Sequence, residues 1–158
     1  MSGWQIGLII AAALLVVFAL MAIFARRLLV RATGRILLAL FYRKEVHGLE
    51  NLPKDGGCVV ICNHISWLDG VLLLWMLPRN VRFLVDGTNF SSPLARFLGD
   101  AFDTILMTAS PKSIGRALKT AREAVRSGEV VGLFPEGTIT RTGQLKAFHP
   151  GVTKVVQG

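Results

Sequence analysis

The sequence is poor in cysteine, tyrosine, histidine and negative charge. It holds two Cys, one Tyr and three His, and 10 Asp and Glu stand against 18 Lys and Arg. Two cysteines exclude a small secreted scaffold held together by disulfides. Cys58 and Cys62 sit in the run CVVIC, and no second Cys or His pair has zinc-ligand spacing. They read as reduced residues of a buried strand. Charged residues make up only 18% of the chain, below the usual share of about 25%, which excludes a disordered chain and a solvent-laced coiled coil. The shortage of acid leaves a net charge of +8. Such a balance points to an anionic partner: phospholipid, nucleic acid or an acidic carrier protein. Nucleic acid is set aside. Much of the positive charge flanks an apolar run, and no basic-aromatic recognition pattern is present.

What the chain does have is apolar surface, at 52% of residues. From Trp4 to Phe24 there is no charge. As a helix this run reaches roughly 30 Å, one hydrocarbon core. Residues 1–25 therefore read as a transmembrane helix. A cleaved signal peptide fits less well, because no Lys or Arg precedes the run and the run is long for an h-region. Arg26, Arg27, Arg31, Arg35, Arg43 and Lys44 follow at once. The positive-inside rule then places Met1 outside and the rest in the cytoplasm, as a single-pass protein of the inner (cytoplasmic) membrane. Residues 26–44 read as a basic interfacial helix, with Arg27, Arg31 and Arg35 on one face toward anionic headgroups. The alternative is a continued membrane helix with snorkelling arginines.

Residues 45–158 alternate short apolar runs with helical stretches, which predicts an α/β domain around a mixed, mostly parallel sheet. Val46–Leu52 reads as an extended lead-in to the turn cluster 53–57. Strands are expected at 58–62, 81–85, 104–107 and 130–134. Helices are expected at 68–77, at 93–98 ending on Gly99, at 112–126 with Ser110 as cap, and from near Pro150. The chain stops inside an apolar element, and a domain of this size is small for the class. Its C-terminus is thus expected to be truncated before the last strands.

Two segments carry the chemistry. Asn63-His64-Ile65-Ser66-Trp67-Leu68-Asp69 follows a buried strand. A histidine in such a loop, with a carboxylate in the first helical turn beyond it, forms a base and its orienter. The same residues also fit a capping box, with Ser66 as N-cap and Asp69 three residues on. The second segment is Phe134-Pro135-Glu136-Gly137-Thr138-Ile139-Thr140-Arg141. It is a tight turn after a strand, with one acid, hydroxyls and a cation, and it suits a phosphate-bearing ligand. Lys146 and His149 add charge nearby. A covalent variant would make Cys62 a nucleophile activated by His64.

Together these segments resemble the glycerophospholipid acyltransferase family of lysophosphatidic acid acyltransferase type. Asn63-His64 with Asp69 matches its NHxxxxD block, and Phe134 to Thr138 matches its FPEGT block. Closer still, NHISWLDGVLLLWMLP and FPEGTITRTGQL resemble the acyltransferase part of bacterial fusions with an acyl-acyl-carrier-protein synthetase, which reacylates 2-acylglycerophosphoethanolamine. The resemblance implies that His64 deprotonates an acceptor hydroxyl and that Asp69 orients it. It implies further that Asn63, Glu136, Gly137, Thr138 and Arg141 belong to the substrate site. The donor would be acyl-CoA or acyl-carrier protein, the acceptor a membrane lysophospholipid, with no metal and no bound cofactor. Two departures stand out. The family's Ile-Asp-Arg block is replaced by residues 104–109, TILMTA. The Arg that often follows FPEGT is Ile139 here, with Arg141 two positions on, so Arg141, Lys112 or Arg116 would have to meet the acceptor phosphate. The rival from another class is a non-catalytic membrane module that binds lipid or acyl-carrier protein.

Overall fold

The computed structural model describes residues 2–156. Helix α1 (Gly3–Phe24) leads into helix α2 (Arg26–Phe41). The Gly3–Met21 stretch of α1 is apolar and long enough to cross a membrane, and none of it is buried against the rest of the protein. The domain that follows has strands β1 (Cys58–Ile61), β2 (Val81–Asp86), β3 (Ile105–Met107) and β4 (Val130–Leu133). Helices α3 (Asp69–Met76), α4 (Pro93–Ala101), α5 (Pro111–Arg126) and α6 (Thr153–Val156) connect and cover them. The sheet order is β1-β4-β2-β3. Every pairing is parallel, so the mixed sheet expected from sequence has no antiparallel strand among the described residues.

Strand alternation sorts the core into two layers. Val59, Val131, Leu133 and Leu84 face α5 and α6, where they meet Ala117, Ala121, Ala124 and Val155. Cys58, Val60, Val81, Phe83 and Val130 face α3, where they meet Leu73, Leu74 and Leu77. The runs are apolar on both faces because helices cover both faces, as parallel sheets require. The alanine stripe of α5 brings that helix close to the strands. Its N-cap Ser110 accepts from the Ser113 N–H, as expected.

Three local expectations are corrected. Residues 49–51 form a single 3₁₀ turn within the lead-in. Helix α4 runs past Gly99 to Ala101, its amphipathic face carrying it through the glycine. The third correction concerns α2. Arg27, Arg31 and Arg35 do share a face, but their guanidiniums take protein acceptors, with Arg31 buried and Arg27 and Arg35 exposed. Arg31 is buried and donates to Leu77 O (2.6 Å), Arg79 O (3.1 Å) and Asn80 Oδ1 (2.6 Å). Arg35 donates to Trp75 O and Leu77 O. Arg27 pairs with Asp103. The reason is the C-terminus of α3. Its last carbonyls lack intrahelical donors, and a guanidinium both satisfies them and meets the negative end of the helix dipole. Leu29, Ile36 and Leu40, on the opposite face of α2, are exposed.

Gly34 sets the α2–α3 spacing. A Cβ there would lie 2.0 Å from the Trp75 ring. On an open helix face Gly→Ala stabilises by about 1 kcal/mol through propensity. Here the sign should reverse: Gly34→Ala is expected to destabilise by about 1–3 kcal/mol through overpacking. Thermal unfolding in detergent checks this, and a raised midpoint would show that α2 does not pack on Trp75.

Candidate active site

β1 and β4 are neighbours in register, Ile61 beside Leu133. Their C-terminal ends therefore release two loops side by side, at the end of a parallel sheet where ligands bind. This adjacency joins segments far apart in sequence. The Cys62 N–H donates to Leu133 O, extending the ladder one step into the first loop.

The first loop carries His64. Its Nδ1 lies 3.0 Å from Asp69 Oδ2. The same carboxylate oxygen accepts from the backbone N–H groups of Ile65 and Ser66, both at 2.8 Å. Asp69 opens α3, and Leu68 occupies the cap position. Only half of the expected capping box forms. Asp69 takes the Ser66 N–H, while the Ser66 hydroxyl accepts from Leu68 and not from Asp69. One carboxylate thus ties the loop into shape and binds the imidazole. Burial raises the Asp69 carboxyl, but the hydrogen bonds from Ser66, His64 and Ile65 outweigh it and hold it below its ordinary range. Ionised Asp69 places the imidazole proton on Nδ1 and leaves the Nε2 lone pair free to accept. The two side chains are 20% and 16% exposed, open enough for a substrate and enclosed enough to stay ordered.

The ring of His64 stacks on Phe134, with centroids 4.1 Å apart at 19°. Phe134 in turn stacks on Phe83 at 5.4 Å. Phe83 lies across Gly132, where a Cβ would come 2.3 Å from its ring. A missing side chain on β4 therefore makes room for the aromatic pair that supports the imidazole. Neither Phe83 nor Gly132 stood out in the sequence. A glycine in the middle of an apolar strand was the available signal, since it marks close approach of another group.

The second loop locks onto the first. Glu136 is 3% exposed. Its Oε1 accepts from the His64 N–H at 2.9 Å, and its Oε2 from the Lys146 N–H at 3.1 Å. The buried Thr140 donates its N–H to His64 O at 2.8 Å. Both backbone polar groups of His64 are thus held by the second loop, through Glu136 and Thr140. Gly137 turns the chain at φ +68°, with the His149 ring beside it. Thr138 is exposed, and its hydroxyl accepts from Lys146 Nζ at 2.9 Å. Lys146 and His149, read from sequence only as nearby charge, are therefore part of this loop's framework.

The remaining expected residues are more peripheral. Asn63 is exposed at the start of the first loop. Arg141 is exposed on the second loop and makes no hydrogen bond or ion pair among the described residues. Lys112 and Arg116 lie on the first turns of α5, which follows β3, the strand farthest from β1. Burial first, and the charge of Asp69 second, push the Cys62 thiol up. That keeps it protonated at neutral pH, contrary to what a nucleophilic cysteine needs. Among the described residues no cluster of His, Cys, Asp and Glu could hold a metal ion.

Residues 43–158 match a family model described as Acyltransferase. The chain is 34% identical over 113 residues to the chloroplastic 1-acyl-sn-glycerol-3-phosphate acyltransferase BAT2 of Brassica napus, covering 70% of this chain and 33% of that protein. It is 33% identical over 127 residues to the 1-acyl-sn-glycerol-3-phosphate acyltransferase of Bacillus subtilis, covering 78% of this chain and 61% of that one. The crystal structure of the 1-acyl-sn-glycerophosphate acyltransferase PlsC from Thermotoga maritima superposes with a TM-score of 0.68 at 25% identity, over 82% of this chain and 52% of that one. The chain thus spans between a third and about three fifths of the length of these relatives.

Proposed function

Because the chain belongs to the Acyltransferase family, we propose that it moves a fatty acyl group from an acyl thioester to the free glycerol hydroxyl of a lysophospholipid at a membrane. The thioester is acyl-CoA or acyl-carrier protein. The acceptor is 1-acylglycerol-3-phosphate, as in the names of the Brassica and Bacillus relatives, or 2-acylglycerophosphoethanolamine. The apolar helix α1 supports a membrane location, and we place the domain on the cytoplasmic side of the inner membrane. The observation that carries the reading is the contact between His64 Nδ1 and Asp69, which leaves Nε2 as the base.

In the proposed reaction, His64 Nε2 takes the proton of the acceptor hydroxyl as its oxygen attacks the thioester carbonyl. Asp69 holds the ring and stabilises the imidazolium that forms. The tetrahedral adduct then collapses with cleavage of the C–S bond, and the leaving thiolate takes the proton back from His64. The donor is already activated, so this route calls for no acyl-enzyme and no cofactor. Much of the rate would come from holding donor and acceptor together. Asn63, Gly137, Thr138 and Arg141 would form the acceptor's surroundings. Glu136 would shape them from behind, with both oxygens turned to backbone N–H groups.

The test is acyl transfer in vesicles, crossing lysophosphatidic acid and lysophosphatidylethanolamine with acyl-CoA and acyl-carrier-protein donors. Turnover names the substrate pair. Lipid binding without turnover in any arm would leave the chain as a membrane module. Arg141→Ala is expected to raise the acceptor KM about tenfold with kcat little changed, the loss of one charge-assisted contact. An unchanged acceptor KM would remove Arg141 from the phosphate site.

A further inference from the structure

A second charged concavity lies at the opposite end of the sheet from His64. It is a cavity of about 300 Å³ at the N-terminal ends of β2 and β4. Three guanidinium groups from three separate segments line it: Arg27 from the first turn of α2, Arg79 from the α3–β2 turn, and Arg82 from β2. Two carboxylates offset them. Arg27 pairs with Asp103, and Arg82 Nη1 pairs with Glu129 at 3.1 Å. Among the described residues Arg79 has no carboxylate partner. It donates only to carbonyls, those of Pro53, Gly56 and Gly128, at 2.6–2.8 Å. One cation is left in excess in a walled site, and the acyl-transfer chemistry proposed above has no use for it.

The chemistry and position of the site agree on a ligand class. Guanidinium forks match phosphate oxygens in geometry and charge. Asp103 and Glu129 are 43% and 45% exposed, so an incoming anion competes with pairs already weakened by water. Arg27 is the third residue after the end of α1, the helix apolar enough to cross a membrane. Arg27 thus brings the cavity within one helical turn of the end of that apolar helix.

We propose that this cavity binds a phosphate group, separate from the acceptor site at His64. The group is carried by the headgroup of an anionic phospholipid or by a free phosphate ester. A headgroup held there would give the domain a second attachment to the membrane surface beside α1. The proposal does not depend on acyl transfer, and its test reads binding alone.

The full chain in neutral detergent micelles is titrated calorimetrically with short-chain phosphatidylglycerol, with phosphatidylcholine and with soluble glycerol phosphate. Phosphatidylglycerol is expected to bind and phosphatidylcholine not. Glycerol phosphate binding as tightly as the lipid would make the free ester sufficient, and lipid binding alone would require the headgroup in its membrane setting. Two variants then break the same ion pair with opposite charge. Arg27→Gln should weaken phosphatidylglycerol binding about fivefold, and Asp103→Asn should strengthen it by a similar factor. Asp103 has φ +47°, a conformation asparagine accepts readily, so that variant keeps the backbone. Arg141→Ala, at the far end of the sheet, should leave this affinity unchanged. Equal weakening in both ion-pair variants would assign the cluster a purely structural role and overturn the proposal. So would no change in either, or equal binding of phosphatidylcholine.

Discussion

Replacing His64 with Ala is expected to lower kcat by about 10³-fold or more while leaving the fold intact, the range for loss of a positioned general base. The imidazole contributes no core packing beyond its stack on Phe134, and the loop bonds at its position are made by backbone groups that Ala retains. Thermal unfolding in detergent should therefore stay near wild type while single-turnover acyl transfer collapses. Asp69 separates the two roles its carboxylate plays. Asp69→Ala removes the ring partner and the acceptor for two backbone N–H groups together, so activity and stability should both fall, the latter by about 1–2 kcal/mol as for loss of a cap. Asp69→Asn keeps an oxygen for the backbone groups but removes the charge facing the imidazolium. It should unfold only modestly below the wild-type temperature at neutral pH, above the Ala variant, and still lose about 10²-fold in kcat. If Asn restored full turnover, the carboxylate would serve only to shape the loop, and the base reading of His64 would lose its support.

The same carboxylate implies a direction for pH dependence. Its folded pKa is depressed, so its contribution to stability is present above the ordinary carboxylate pKa and is lost as pH falls through the lower folded value. Asp69→Asn should remove that part of the acid sensitivity. The size of the acid-induced loss in wild type against this variant measures how much of the loop's order the ionised group supplies.

Much of this geometry was legible before any coordinates, for identifiable reasons. The α/β alternation, the strand ends and the helix cap at Ser110 are local signals, and they agree with the tertiary structure because parallel strands buried on both faces read as unbroken apolar runs. The pairing of His64 with Asp69 was legible because five residues of loop and first turn can bring the two side chains together only in a few ways. The direction of the α2 arginines was not. Amphipathicity states that one face is basic, and it is silent on whether lipid headgroups or protein carbonyls receive that face. The receiver, the C-terminus of α3, lies 40 to 46 residues away. The support beneath the imidazole was hidden for the same reason. Gly132, Phe83 and Phe134 meet only because β2 pairs with β4, a register that no local pattern states.

Glu136 makes the second large prediction, because its position is at odds with direct contact to substrate. A carboxylate 3% exposed, with each oxygen turned to a backbone N–H, presents almost no surface to a ligand. Glu136→Gln keeps the shape but puts an amide NH₂ against one of the two N–H donors. One hydrogen bond is lost and a buried donor is left unsatisfied, which costs about 1–3 kcal/mol. Because one of those donors is the His64 N–H, the disturbance reaches the base directly. Hydrogen exchange at the His64 and Lys146 amides should quicken, kcat should drop by at least tenfold, and the acceptor KM should move little. Glu136→Asp offers a control. It restores the charge but is one methylene short, so it should recover exchange protection at only one of the two amides and turnover only in part. The opposite pattern, a raised acceptor KM with unchanged exchange and unfolding, would mean that Glu136 turns outward to meet the lipid. The loop that holds His64 would then need another clamp, and Thr140, whose N–H already donates to His64 O, is the group positioned to supply it.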